Sequence, residues 1–349
     1  MDTKDQYGDI ETFCSIVDGS ITEIIDSTVL SVDYAAFQGC SALATASFPA
    51  ATSIVGNAFE DCSHLTTVSF PEVKTIGNSA FASCTALTTA SFPKATTIGY
   101  SAFASCYSLT TVSIPSATFV GGGAFFKCTS LTTASFPAAT SIGGSAFNKC
   151  TSLTTASFPA ATNIDSSAFQ SCTALTTVSF PAVTSIGNSA FHDCSKLTTA
   201  IFPAATSIGS YAFYNCRSLT TASFPAATKI GSSAFQYCLF LTTAIFPAAT
   251  DIGGDAFDGC RSLTTASFPK ATSIGGSAFR ECNYLTSLNM VGVSRVPVLG
   301  SYAFIYTPIG GYSASAGQYG SVYVPASLYD AFLTATNWSS IASRIVSVA

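Results

Sequence analysis

Apolar and polar residues follow one another along this chain in a single phrase that recurs with little change. In the copy LTTASFP, which ends at Pro93, apolar side chains stand at Leu87, Ala90 and Phe92. Ala90 and Phe92 are two residues apart and share one face of an extended strand, whereas the threonine and serine preceding them face the other way. Proline has no N–H to donate to a sheet. The pattern therefore predicts a short strand that ends at Pro93.

The second half of the phrase, ATTIGYSAFASC, predicts a further short strand and a compact turn. Residues 96–98 are β-prone, and Gly99 is a turn residue. Residues 100–106 are expected to form one helical or 3-10 turn that buries Phe103 and Cys106. The path then returns to its start about one strand spacing, ~4.8 Å, further along.

The Ala-Phe pair fixes the period of the whole chain. The pair occurs twelve times, once every 22 residues, from Phe37 to Phe279. A cysteine follows each pair with the same period, from Cys40 to Cys282. A fixed period of this length indicates a solenoid, because one coil cannot bury its own apolar face but stacked coils can. Parallel crossovers are nearly always right-handed. The prediction is an α/β right-handed solenoid of about twelve coils, with a parallel sheet on one face and short strands and helical turns on the others.

The phrase C-x-x-L-T-T-A-S-F-P-x-A-T-x-I-G-x-S-A-F resembles the BspA-like leucine-rich repeats, a family of microbial surface proteins. The resemblance covers about residues 20–307. It implies a leucine-rich-repeat fold, a cell-surface or secreted location, and adhesion through protein binding. The tail YVPASLYDAFLTATNW resembles the closing segment of such proteins from gut bacteria and their phages, so a phage virion component is an alternative origin.

The ends of the chain depart from the phrase. Residues 1–36 are predicted to be an N-terminal segment and a capping half-coil, 37–307 the solenoid, and 308–349 a C-terminal cap with a Gly/Ser loop, a strand and a helix. All three would make one structural domain. Eight acidic residues against Lys4 in the first 33 positions suit an open edge that must resist pairing. The start has neither a basic region nor an apolar run, so no signal peptide is expected in this chain.

Charge and hydropathy narrow the range of partners. Charged residues make up 9% of the chain and the net charge is −5, with no basic stripe, so nucleic acid is a poor partner. No apolar run approaches the ~20 residues of a membrane span, so membrane insertion is not expected. The sequence leaves the oligomeric state open.

No catalytic residue, cofactor or metal is expected. His64 and His192 lie about six coils apart, too far to cooperate, and both are expected to be solvated surface residues. Serine and threonine are abundant, but none has a His-Asp set beside it. The sequon at Asn337 is short enough to arise by chance. The protein is therefore not expected to be an enzyme.

The cysteine ladder is predicted to be reduced. Stacked residues on parallel coils have parallel Cβ vectors, whereas a disulfide needs converging Cβ atoms ~3.5–4.5 Å apart. All twelve cysteines from Cys40 to Cys282 are therefore expected to be buried free thiols that act as small hydrophobes. A metal site is not expected, because no turn offers two converging ligands.

Variation among the copies is concentrated beside the cysteines. The core barely changes, and the Thr-x-Ser strand face is nearly constant, with Ile201 and Ile245 as exceptions. The variable positions should form one ridge, rich in the residue types that dominate binding hot spots. Its densest part is the candidate ligand-binding site: Tyr214, Arg217, Tyr237, Phe240, Arg261 and Tyr284.

These features favour a non-enzymatic binding or adhesion module displayed on a microbial or phage surface. It would recognise a protein or glycan ligand on a host or cell surface through an extended solenoid face. Two alternatives stay open. In the first, the chain is a structural spacer or assembly element without a ligand. In the second, it binds a repetitive surface through the Thr-x-Ser strand face.

Overall fold

The computed structural model describes residues 21–312 and 319–349. The chain forms two compact units, Met1–Leu175 and Thr176–Ala349. Most of the acidic N-terminal segment and part of the predicted Gly/Ser loop lie outside the described residues. The domain boundaries at 36 and 307 stay a prediction.

Each coil of the first unit gives one strand to a main face and one two-residue strand to a second face. On both faces, the strands that pair are parallel and shifted by one period, as Thr67 is paired with Thr89. The main strands are β1 Glu23–Ile25, β3 Thr45–Ser47, β5 Thr67–Ser69, β7 Thr89–Ser91, β9 Thr111–Ser113, β11 Thr133–Ser135 and β13 Thr155–Ser157. The second-face strands are β2 Ser31–Val32, β4 Ser53–Ile54, β6 Thr75–Ile76, β8 Thr97–Ile98, β10 Phe119–Val120, β12 Ser141–Ile142 and β14 Asn163–Ile164.

The second unit repeats this plan and ends in a cap. Its main strands are β15 Thr177–Ser179, β17 Thr199–Ile201, β19 Thr221–Ser223, β21 Thr243–Ile245, β23 Thr265–Ser267 and β25 Ser287–Asn289. Its second-face strands are β16 Ser185–Ile186, β18 Ser207–Ile208, β20 Lys229–Ile230, β22 Asp251–Ile252, β24 Ser273–Ile274 and β26 Val298–Leu299. The cap comprises β27 Ser321–Pro325, a 3-10 helix Ala326–Leu328, α1 Tyr329–Thr334, a 3-10 helix Ser339–Arg344 and β28 Ile345–Val348.

The predicted parallel-sheet solenoid is confirmed. Among the described residues, second-face strands number seven in the first unit and six in the second, slightly more than the twelve coils expected. The difference arises because the degenerate half-coil before residue 36 folds as a full coil, in which β1 pairs with β3 and β2 with β4. The cap strand was also expected, and it extends the main sheet in the order β25, β27, β28. No helix in the part of the chain that the structure describes is long and apolar enough to cross a membrane.

The main face is not one continuous sheet. Strands β9 and β11 belong to separate sheets in the first unit, and β17 and β19 do so in the second. The strand face therefore does not present an unbroken lattice of threonine and serine within either unit.

The third side of each coil differs from its prediction. It is a run of hydrogen-bonded turns, not a helical turn, and two residues per coil are left-handed, such as Ser79 (φ 53°) and Ser83 (φ 59°). The N–H groups of Ser79, Phe81 and Ser83 donate to carbonyl oxygens of the following coil, at 2.8, 2.7 and 2.8 Å. A helix would direct these donors within its own turn. Here they join one coil to the next.

Two columns of phenylalanine fill the interior of each unit. Phe81 lies between Phe59 and Phe103, with ring centroids 5.1 and 5.3 Å apart and nearly parallel planes. A second column runs beside it, in which Phe70 and Phe92 are 5.5 Å apart. All five rings are fully buried. The apolar ladder expected from the period is therefore the core.

Eleven ladder cysteines, from Cys62 to Cys282, are free and buried, as predicted. Their thiols also have a partner that the sequence did not suggest. The thiol donates to a phenylalanine carbonyl of the preceding coil, as Cys84 Sγ does to Phe59 O at 3.0 Å. Burial raises the pKa of the Cys62 and Cys106 thiols to about 12.

The prediction of twelve free thiols is wrong for Cys40, which is disulfide-bonded. The eleven later ladder cysteines are all free, so its partner is not a ladder neighbour and the geometric argument against bridges within the ladder still holds. Cys40 is the first position of the ladder.

Threonine forms ladders of its own. Thr88 Oγ1 donates to Thr66 O at 3.0 Å, and Thr110 Oγ1 donates to Thr88 O at 3.1 Å. The same threonine repeats the bond in several later coils, at Thr154, Thr198, Thr242, Thr264 and Thr286, so its hydroxyl adds a side-chain bond between those coils. This role explains why that threonine hardly varies, which the strand pattern alone does not.

Candidate binding surface

The structure brings four of the six candidate residues together in the second unit. Tyr214, Arg217, Tyr237 and Arg261 line an open depression of about 380 Å³. Asn215 and Leu239, which the sequence reasoning missed, complete its lining. We call this feature the ridge depression. Phe240 and Tyr284 do not line it, although their side chains are 61% and 50% exposed.

The repeat itself positions these side chains. Tyr214 follows the buried Phe213, and Tyr237 precedes the buried Cys238 in a left-handed conformation (φ 60°). Arg217 directly follows a ladder cysteine, and Arg261 does so two coils later. Because the phenylalanine and cysteine are fixed in the core, their sequence neighbours are held at the surface in columns.

Aromatic rings pack against one another along the rim. The Tyr214 ring stacks on His192, with centroids 4.6 Å apart and planes inclined by 12°. It meets Tyr237 edge-on at 5.6 Å and Tyr211 at 5.8 Å. Burial, followed by the neighbouring Tyr237 and Asp193, raises the pKa of Tyr214. These contacts hold the ring in one place.

The expectation of a solvated histidine is wrong for His192, whose side chain is only 22% exposed. The stacked Tyr214 ring covers it, and its Nδ1 lies 3.1 Å from Asp193 Oδ2. His64 is exposed as expected, with Nδ1 2.6 Å from Ser41 O.

Gly259 makes room for the Tyr237 ring. A Cβ atom at this position would lie 2.5 Å from Tyr237 Cδ1 and 2.8 Å from Cε1. Such distances are too short for van der Waals contact, so a side chain there would displace the ring. Gly259 is also left-handed, with φ 70°.

The two arginines of the depression differ in their partners. Arg217 Nε donates to Asn215 Oδ1 at 2.8 Å, and among the described residues no carboxylate forms an ion pair with its guanidinium. Arg261 Nη2 lies 3.0 Å from Glu281 Oε2. Arg217 therefore keeps donors that can bind an anionic or polar group from outside.

Beside the depression lies a buried ion pair. Asp258 is 1% exposed and accepts hydrogen bonds from Arg280 Nε at 2.9 Å, Arg280 Nη2 at 2.6 Å and Gln236 Nε2 at 2.8 Å. The Asp258 carboxylate raises the pKa of the Arg280 guanidinium. These residues and Tyr214 all directly follow a ladder phenylalanine.

The residues that directly follow the ladder phenylalanines form a column, and neighbours in this column form complementary hydrogen-bonded pairs. Gln38 Nε2 donates to Glu60 Oε2 at 2.7 Å in the first unit, in the same way as Gln236 to Asp258. The ridge positions vary between coils, but each of these residues is paired with the one a full period away. Complementary residue types at the spacing of the repeat were the signal in the sequence that could have revealed these pairs.

The ridge depression has the chemistry of a binding surface. It offers a guanidinium fork, two phenol hydroxyls, aromatic edges and an apolar patch at Leu239. In the parts of the chain with described coordinates, no group of three His, Cys, Asp or Glu side chains could hold a metal ion.

A second depression, of about 390 Å³, lies on the strand face where β17 and β19 belong to separate sheets. Ile201 and Pro203 line one side of it, and Ser223 and Pro225 the other. Ile201 is 47% exposed, and Ile245, two coils further along, is 42% exposed. The two exceptions in the Thr-x-Ser array are thus exposed apolar spots on this face, one of them inside the depression.

Comparison with known proteins identifies the repeat. No curated protein matches the chain. A crystal structure of a leucine-rich repeat protein from Bacteroides ovatus superposes with a TM-score of 0.60 at 22% identity, covering 98% of this chain and 94% of that one, which shows the same fold. A leucine rich cell surface protein from Faecalibacterium prausnitzii gives 0.45 at 24% identity, covering 84% and 86%. The family model of the BspA type leucine rich repeat region matches residues 11–132, 118–242 and 206–313, so the chain belongs to that family.

Proposed function

We propose that this protein is a non-enzymatic binding module on a bacterial surface and that it recognises a protein or glycan through the ridge depression. The observation that supports this most is the meeting of Tyr214, Arg217, Tyr237 and Arg261 in one open depression. The core positions around them are constant from coil to coil. Variation confined to one exposed site is what a recognition surface on a rigid scaffold requires.

The residue types suit recognition more than structure. Tyrosine and arginine are enriched at binding hot spots, where rigid rings and a planar guanidinium make many contacts at little entropic cost. The aromatic contacts of Tyr214 hold its ring before any ligand arrives. Preorganisation of this kind reduces the ordering cost of binding.

Two observations support display outside the cytoplasm. Members of the BspA-type family are bacterial surface proteins, and Cys40 is disulfide-bonded, which is typical of oxidising compartments. The relatives described above give no support to a phage origin. We therefore place the protein on, or secreted from, a bacterial cell.

The test uses the full chain on arrays of glycans and host surface proteins, followed by affinity measurements with each bound partner. The triple variant Tyr214→Ala, Arg217→Ala, Tyr237→Ala should weaken binding at least tenfold, because all three side chains line the depression. Urea unfolding of the variant shows whether its fold is kept.

Tyr107→Ala is the matched control. Tyr107 is exposed and follows a ladder cysteine, as Arg217 does, but it lies in the first unit and does not line the depression. Its loss should leave binding unchanged. Equal binding by the triple variant and the wild type would contradict the proposal. The spacer alternative requires that no array component binds.

The strand face is the second candidate, favoured by the apolar depression beside Ile201. Ile201→Ser and Ile245→Ser restore the serine found at this place in most other coils, so they should fold normally. If these changes abolish binding while the triple ridge variant binds normally, the strand face is the site.

A further inference from the structure

Each coil needs its successor for two kinds of hydrogen bond. On the second face, the successor donates to the coil: Gly77 N donates to Ile54 O at 2.8 Å, and Lys74 N donates to Thr52 O at 2.9 Å. On the turn side, the successor accepts from the coil, as Phe81 N donates to Ala102 O at 2.7 Å. The last coil therefore ends with carbonyl groups that need donors and N–H groups that need acceptors.

The C-terminal cap supplies the donors. Asn337 Nδ2 donates to Leu299 O, and Trp338 Nε1 donates to Pro297 O, at 2.6 and 2.8 Å. These two carbonyls correspond to those of Ile54 and Thr52 in the earlier coil. Two side chains thus replace the backbone N–H groups of a further coil, so these carbonyl groups at the end of the stack have donors.

The N–H groups at the end of the stack do not receive equivalent partners from the cap. In the preceding coil, the N–H groups of Ser277, Phe279 and Glu281 donate to Ser301 O, Ala303 O and Ile305 O, at 2.9, 2.9 and 3.1 Å. The equivalent groups of the last coil are Tyr302 N, Phe304 N and Tyr306 N. Within residues 21–312 and 319–349 none of them has an acceptor. Tyr302 and Phe304 are the two that lie against the cap. Phe304 is only 4% exposed, and buried N–H groups in native proteins are nearly always satisfied.

Both residues line a cavity of about 430 Å³ between the last coil and the cap. Asn337, Ser340 and Ile341 line it from the cap side, and no acidic residue is among its lining. Ser340 Oγ donates to Asn337 O at 2.6 Å, which holds this hydroxyl at the edge of the cavity. The cavity is thus lined by two residues whose N–H groups have no acceptor, and its lining carries no negative charge of its own.

We infer that this cavity binds a carboxylate. Tyr302 is left-handed (φ 61°), and its N–H and that of Phe304, two residues on, correspond to donors that point to the same side in the earlier coils. Alternation of left- and right-handed residues creates the backbone concavities that bind anions. A carboxylate has two oxygens for the two donors, and it would occupy the place of the missing coil's carbonyls. Its source is either a peptide or a sugar acid.

This site is independent of the ridge depression, because none of the residues that line one also lines the other. It can therefore exist whether or not the proposed function is correct. The triple ridge variant should bind carboxylates at the stack end as the wild type does.

The test follows the backbone amide resonances of Tyr302 and Phe304 by NMR in the full chain. Titration with N-acetylglycylglycine and with glucuronate should shift both resonances saturably, whereas the uncharged N-acetylglycinamide should not. Tighter binding of the peptide identifies a protein source, and tighter binding of glucuronate identifies a glycan source.

Ser340→Phe fills the cavity and should abolish the shifts. Ser339→Phe is the matched control, since Ser339 is the exposed neighbour in the same 3-10 helix but does not line the cavity. Fluorescence of Trp338, the only tryptophan, reports whether the cap stays docked in each variant. Absence of any shift with both carboxylates overturns the inference. So does an equal shift with the neutral amide, or a shift that persists in a Ser340→Phe variant with a docked cap.

Discussion

Cysteine occupies its ladder because it is small and can donate. Cys150 is fully buried, and its Sγ donates to Phe125 O at 3.1 Å. Alanine would fit the space but has no donor, and serine would bring a hydroxyl that is more costly to bury. The thiol therefore combines core packing with a weak bond between coils, and disulfide chemistry is not its purpose here.

The change Cys150→Ala tests this role. It removes the bond to Phe125 O and leaves a small cavity, so the free energy of unfolding should fall by about 1–2 kcal/mol. Thr151→Ala is the control: Thr151 is the exposed next residue, and its hydroxyl makes only a long contact of 3.5 Å with Thr129 O, so the change should alter stability by less than about 0.5 kcal/mol. Urea unfolding followed by circular dichroism measures both. Equal stability of Cys150→Ala and the wild type would show that the thiol bond contributes nothing.

Gly259 and Gly39 give a second comparison between single residues. They occupy equivalent left-handed positions, φ 70° and 74°, but a Cβ at Gly39 meets no atom within 4 Å whereas one at Gly259 meets the Tyr237 ring. Gly39→Ala should destabilise the chain by about 1–2 kcal/mol through backbone strain alone. Gly259→Ala should destabilise it further and also weaken ligand binding, because Tyr237 must move. Identical unfolding and binding of the two variants would show that Gly259 does not position the ring.

Left-handed residues mark the limit of prediction at this scale. Ser79, Lys127 and Tyr237 adopt positive φ, although glycine is the usual signal for it. Their N–H groups donate to the next coil, and these bonds offset the strain of a side chain in that conformation. The sequence of a single coil does not show that the next coil will provide these carbonyl acceptors. The helical turn was predicted there because the burial of Phe103 and Cys106 fits either structure.

At the scale of elements, strands were predictable and their interruptions were not. Alternation in LTTASF defines the main strand, and Pro93 defines its end, as the structure confirms for β7 at Thr89–Ser91. The separation of β17 from β19 has no counterpart in the apolar pattern.

The cap provides a prediction about an element. Asn337→Asp keeps the shape of the side chain and its tolerance for the left-handed conformation (φ 66°), but it removes the donor to Leu299 O. The cap should undock about 1–3 kcal/mol more easily, since a buried carbonyl loses its partner and meets a negative charge. Trp338 fluorescence should then change at lower urea concentrations than in the wild type.

Ser339→Ala is the control for that change, because Ser339 is exposed and its side chain makes no hydrogen bond in the described structure. Unaltered Trp338 unfolding in Asn337→Asp would show that the amide does not hold the cap. The same contact bears on the sequon. The Asn337 amide nitrogen already donates to the last coil, so it is poorly placed for attachment of a glycan.

At the scale of the whole molecule, the buried thiols make stability sensitive to alkali. Burial raises the pKa of Cys62 and Cys106 to about 12, and that of Cys128 and Cys260 is raised for the same reason. Below about pH 7.5 thiols are protonated in both states and have no effect on stability. Between about pH 9 and 12 the unfolded chain releases protons that the folded chain retains, so stability falls by about 1.4 kcal/mol per pH unit for each thiol.

We therefore expect the free energy of unfolding to decrease steeply from about pH 8.5 to about pH 10 in urea titrations. The double variant Cys106→Ala, Cys128→Ala serves as the control. Although less stable at neutral pH, it should show a slope shallower by about 3 kcal/mol per pH unit. If both chains lose stability at the same rate, tyrosine and lysine titration, not the thiols, governs the alkaline limit.

The position of the ridge could be predicted from the sequence, but which of its side chains meet in one depression could not. Position beside the cysteine was sufficient to place Tyr214, Arg217, Tyr237 and Arg261 on one edge, and the structure shows them around one depression. Phe240 and Tyr284 follow the cysteine by two residues and lie outside it. Whether a side chain reaches the depression depends on the direction of its Cα–Cβ bond, which the succession of left-handed turns determines.

The hydrogen bonds between coils also bear on how such a chain can change over generations. Where nearly identical coils are encoded by nearly identical DNA, misaligned exchange between them would add or remove whole coils. On the second face each coil offers its successor the same donors and acceptors, so most products of such exchange would keep these backbone bonds and both ends of the stack. The triad of Gln236, Asp258 and Arg280 is an exception, since loss of the middle coil would place the amide of Gln236 and the guanidinium of Arg280 together without their shared acceptor. Coil number is thus free to vary in inheritance everywhere except where side chains have become matched across neighbouring coils.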